Sequence, residues 1–132
     1  MKLTILSLTT VLFLSASPNV LAAPTPTVSQ QTLIEAQKNN TVILLDVRSD
    51  EEFKDGHIPG AINYSHLDII NNTAVLDYQK DQAIIVYCRS GRRAAAAEQA
   101  LIDLGFTNVK HLEGDWLGWQ ETQLKTDNTK AQ

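Results

Sequence analysis

The sequence predicts an open parallel α/β sheet of four or five strands with helices on both faces. Three observations point to it. Residues 41–47 and 83–87 are continuous apolar runs, the pattern of strands buried on both sides. Each run passes through a short polar loop into a helical pattern, and helix stops fall where the next strand must begin. A strand–helix–strand succession of this kind calls for parallel pairing and a right-handed crossover.

The chain has 132 residues, enough for one domain with its own core. Charged residues at 20% and hydrophobic ones at 43% suit an ordinary globular protein. A net charge of −4 argues against nucleic acid as a partner. Residues 1–22 read as an export signal: Lys2 gives a positive start, residues 3–14 are dominated by apolar side chains, and Pro18 breaks that helix. Val20-Leu21-Ala22 suits a signal peptidase, with cleavage expected after Ala22 and a periplasmic or secreted product. The run is short for a membrane span, so no membrane association is expected after cleavage. The expected organisation is a signal over 1–22, one domain over 23–125 and a loose polar tail over 126–132, with the domain acting as a monomer.

The elements follow in order. Residues 24–28 form an extended lead-in ending in a short strand. Ser29 caps a helix over 30–38, which Asn39-Asn40 ends before the strand at 41–47. Ser49 and Glu52 form a capping box for a short acidic helix stopped by Gly56, and Pro59-Gly60 turns into a short strand at 61–63. Asp46 and Arg48 lie at the C-terminal end of a strand, where such sheets place their sites; a supporting role, each pairing with the other, is expected. His57, between a helix stop and a turn, reads as a structural hydrogen-bonding residue. Residues 65–72 suit a helix and 73–82 a turn-rich segment. His66 and His111 lack metal-ligand spacing and read as surface or packing residues, and no metal is expected. Residues 108–112 give the last strand and 113–120 begin a closing helix, with Trp116 and Trp119 as core and rim packing.

The strand at 83–87 leads into Cys88, the only cysteine, then Arg89, Ser90, Gly91, Arg92 and Arg93, then an alanine-rich helix stopped by Gly105. A helix start offers unpaired amides and a positive dipole end, and three arginines add formal charge. Both favour a thiolate at Cys88. Gly91 permits a positive φ, so that successive amides can turn inward as an anion-binding nest. A single cysteine in an exported chain cannot form an internal staple. It is either a working nucleophile or a cross-link to another chain.

Three segments together resemble a single-domain rhodanese. Asp46-Val47-Arg48 through Glu52-Phe53 to Gly56-His57-Ile58-Pro59-Gly60-Ala61 is similar to the family's first signature, and residues 86–93 resemble its active-site loop. Leu112-Glu113-Gly114 with Trp116 and Trp119 resembles its C-terminal signature. The resemblance implies a five-stranded parallel sheet with Cys88 at its centre. It also implies a sulfurtransferase in which Cys88 takes a sulfane sulfur from a small anionic donor such as thiosulfate and passes it to a thiol or cyanide. Arg89, Ser90, Gly91, Arg92 and Arg93 would bind the donor, with no cofactor. Asp115 stands where many members carry a second glycine, a change expected to alter a turn rather than the chemistry. Glu52 stands where some thiosulfate-specialised members place an arginine, which points to a weaker fit for thiosulfate. A cysteine phosphatase or arsenate reductase would need Arg six places after the cysteine, where Ala94 stands; Arg93 comes one place early. A persulfide carrier or binding module without turnover needs the same loop.

Overall fold

The computed structural model describes residues 24–122 and 124–127. The expected export signal and residues 128–132 lie outside them. Five parallel strands form one sheet: β1 (Thr27–Val28), β2 (Ile43–Asp46), β3 (Ile62–Asn63), β4 (Ile84–Tyr87) and β5 (Val109–Leu112), in spatial order β1-β5-β4-β2-β3. The two apolar runs thus become neighbours, with Leu45 opposite Val86 and Asp46 opposite Tyr87. β4 is the central strand and ends one residue before Cys88.

Alternation along the strands divides the core into two layers. Leu45, Val47, Ile84, Val86 and Cys88 face one side, where α3 (His66–Ile70) and α4 (Arg92–Asp103) pack through Ile69, Ala94, Ala97 and Leu101. Leu44, Ile85, Tyr87 and Leu112 face the other, with Leu33 of α1 (Gln30–Lys38) and Trp119 of α5 (Asp115–Glu121). Burying some ten large aliphatic side chains at about 1.5–3 kcal/mol each is the main stabilising term.

The local signals act as expected. The Ser29 side chain accepts from the Thr32 amide. Ser49 and Glu52 complete a reciprocal capping box on α2 (Asp50–Asp55). Within the expected tail, Asp127 exchanges two 2.8 Å backbone hydrogen bonds with His57. The Trp119 indole also donates to the Lys125 carbonyl at 2.9 Å. An indole and the backbone of His57 hold this segment although its own composition is polar. No helix among the described residues is long and apolar enough to cross a membrane.

Candidate active site

Cys88 closes the central strand at the floor of a cleft of about 560 Å³, lined by His66, Leu67, Arg89, Arg92 and Arg93 among others. Only 1% of the residue reaches solvent, so a reagent must present a protruding atom to the sulfur. Gly91 takes φ +111° as the N-cap of α4, and its amide donates to Cys88 Sγ at 3.0 Å. The loop therefore folds back on its own thiol. Just behind it begin the amides of the first turn of α4, which have no carbonyl partner within the helix. These are the conditions for holding an anion on the sulfur.

Arg89 and Arg92 are exposed at the mouth, as is Ser90. Arg93 also lines the cleft, yet its guanidinium forms a bidentate pair with Glu52 at 2.7 and 2.9 Å. The Arg93 hydrogen bonds hold the Glu52 carboxyl down to about 2, so it is charged well into acid. The two candidate donor-binding arginines with exposed side chains are thus Arg89 and Arg92, while Arg93 is built into the wall.

Beneath the loop, Asp46 and Arg48 form the expected pair: both are buried, and Arg48 reaches Asp46 at 2.6 Å and the Gly56 carbonyl at 2.7 Å. The Arg48 guanidinium lies 4.6 Å from the centre of the Trp116 ring. Tyr87 joins this network, which its sequence context did not announce. Its hydroxyl donates to Asp46 at 2.6 Å and accepts from the Ile58 amide at 3.1 Å. Burial first, and then the Asp46 charge, push its phenol well above the ordinary range. His57 is structural as expected, bonded to the Phe53 carbonyl at 2.8 Å and stacked on the Phe53 ring.

Two expectations change at the other side of the loop. His111 is no lone packing residue, since it lies 2.5 Å from Glu98 through Nδ1 and 3.0 Å from Asp115 through Nε2. Hydrogen bonds that its ring donates to those two carboxylates, Asp115 first, raise its pKa to about 10. Asp115 does more than shape a turn, because its Oδ1 accepts from the Cys88 amide at 2.9 Å. The signal for Glu98 was present in the sequence: residues 94, 97, 98 and 101 form one apolar helical stripe, and a carboxylate within it needs a buried partner. Among the described residues, no group of His, Cys, Asp and Glu could hold a metal ion.

The rhodanese-like domain model matches residues 29–122. Thiosulfate sulfurtransferase 16, chloroplastic, of Arabidopsis thaliana is 36% identical over 92 residues, 62% of this chain and 77% of the relative. The HTH-type transcriptional regulator Rv0324 of Mycobacterium tuberculosis is 33% identical over 114 residues, 85% of this chain. The chain spans about half the length of some curated relatives it matches, 49% in that case. Among solved structures, the human single domain sulfurtransferase TSTD1 superposes with a TM-score of 0.66 at 27% identity, covering 76% of this chain and 97% of that one.

Proposed function

The chain belongs to the rhodanese family, which includes sulfurtransferases, and from that premise we propose that it moves a sulfane sulfur through a persulfide on Cys88. The observation that carries the reading is the Gly91 amide aimed at Cys88 Sγ at the start of α4, in a cleft with arginines at its mouth.

Arg89 and Arg92 draw a small dianionic donor such as thiosulfate to the cleft. The Cys88 thiolate attacks the outer sulfur. A new S–S bond forms at Cys88 as the donor's S–S bond breaks, and sulfite leaves with the electron pair. The resulting persulfide anion sits among the amides at the start of α4, where the negative charge is met by fixed dipoles. Cyanide or a thiolate then attacks the outer sulfur, and the pair returns to Cys88 as the S–S bond breaks. Thiosulfate and cyanide thus give sulfite and thiocyanate with no net redox change. The route is ping-pong through a covalent intermediate, and every step uses side chains and amides of this chain. We propose further that the domain works as an exported monomer, a reading supported by the sequence of residues 1–22 and by composition.

The test is an intact mass of the chain before and after thiosulfate, with cyanide added last. A gain of one sulfur atom, absent in Cys88→Ser and removed by cyanide as thiocyanate, is expected. No gain, or a gain that Cys88→Ser retains, overturns the mechanism.

A further inference from the structure

Asp115 has a backbone of φ +53°, a left-handed conformation uncommon outside glycine, asparagine and aspartate. It is nevertheless 4% exposed and carries a carboxylate. That carboxylate is shared: one oxygen takes the Cys88 amide and the other takes His111 Nε2. His111 in turn is held through Nδ1 by Glu98, itself 3% exposed on the inner face of α4. The chain Glu98–His111–Asp115 therefore runs from the middle of α4, across the end of β5, to the backbone of the nucleophile.

Two further contacts place this chain under the loop rather than beside it. A Cβ on Gly91 would meet Asp115 Oδ2 at 3.2 Å and the His111 ring at 3.8 Å, so the residue that donates to Cys88 Sγ rests directly on the pair. The first turn of α5 also grips the loop carbonyls, with the Trp116 amide 2.9 Å from Cys88 O and the Leu117 amide 3.2 Å from Arg89 O. Both backbone groups of Cys88 are thus held by one turn of helix, and the side chain that opens that turn is fixed by His111. Buried ionic chains are poor sources of net stability, because desolvation offsets their attraction. A buried carboxylate at one end of such a chain, bonded to the backbone of the nucleophile, points to orientation instead.

We propose that Glu98, His111 and Asp115 are positioning residues for the Cys88 loop. Asp115 sets the Cys88 peptide plane, and with it the direction of Sγ toward the Gly91 amide and the cleft. His111 and Glu98 set Asp115. None of the three touches the transferred sulfur. The device requires only that Cys88 be the reacting thiol, as proposed above.

Asp115→Gly and Asp115→Asn separate position from charge. Both residues accept a positive φ and both remove the same charge, but only Asn keeps an acceptor for the Cys88 amide. With thiosulfate and cyanide, kcat of Asp115→Gly is expected to fall about tenfold with KM within twofold, and Asp115→Asn to recover most of that loss. Equal kcat in the two variants overturns the proposal. The Cys88 amide proton resonance reads the same bond without turnover: it is expected to move upfield in Asp115→Gly and less so in Asp115→Asn. Glu98→Ala, which touches no loop atom, is expected to move it too. An unmoved resonance in Asp115→Gly overturns the device, and one unmoved in Glu98→Ala overturns the three-residue chain. If the unaltered chain transfers no sulfur, the reading of function fails while the resonance still decides this one.

Discussion

Gly91 makes two demands on one residue. Its φ of +111° suits glycine, and the space where a Cβ would go is closed by Asp115 Oδ2 at 3.2 Å. Gly91→Ala is therefore expected to cost about 1–3 kcal/mol and to turn the amide away from Cys88 Sγ, lowering kcat further than the loss of folded protein explains. Urea denaturation and kcat per titrated thiol measure the two effects, and an active alanine variant of normal stability would contradict both. The loop itself was legible, since a lone cysteine after a buried strand, a glycine and three arginines are all adjacent in sequence. Commitment of Arg93 was not legible, because Glu52 lies 41 residues away. Glu52→Gln frees that guanidinium toward the cleft, and KM for thiosulfate is expected to fall about threefold or more. An unchanged KM would show that Arg93 faces the wall with or without its partner.

At the level of elements, the buried strands β2 and β4 were plain because a strand covered on both faces is apolar throughout. The edge strands β1 and β3 are two residues each, and only their neighbours define them. Helix α2 shows what a local signal can carry. It has six residues, none of them buried, so its ends matter more than its packing. Its capping box also aims Glu52, whose Oε2 accepts from both Ser49 and Arg93. Ser49→Ala is expected to destabilise the chain by about 1 kcal/mol, with an unchanged denaturant slope. It should also shift KM for thiosulfate in the direction of Glu52→Gln. A stability loss with an unmoved KM would mean that Arg93 alone fixes Glu52. The box was readable from Ser49 and Glu52 spacing; its connection to the active-site wall is the Glu52–Arg93 pair, which only the folded chain brings together.

Across the whole molecule, parallel order brings α4, β5 and α5 together at the Cys88 loop, and there they hold an ionic chain of which local pattern displays only Glu98. Its members are 13 and 4 residues apart and belong to three elements, so only the closed fold defines their contact. The chain leaves a signature in the pH dependence of stability. His111 is raised from 6.5 to about 10 in the folded state by Asp115 and Glu98. A group whose folded pKa lies above its unfolded value binds its proton more tightly in the native state, so the native state gains below the unfolded pKa and loses that gain as pH rises. The stabilisation is complete below about pH 6.5 and declines as pH rises through about 10. Other groups add their own slope, so the comparison must be with Glu98→Gln, which weakens one of the two carboxylate partners and leaves those groups in place. Urea midpoints followed from pH 6 to pH 10 are expected to fall more steeply in the unaltered chain than in the variant. Parallel curves would mean that Glu98 adds nothing to the proton affinity that His111 gains on folding, and that Asp115 alone supplies it.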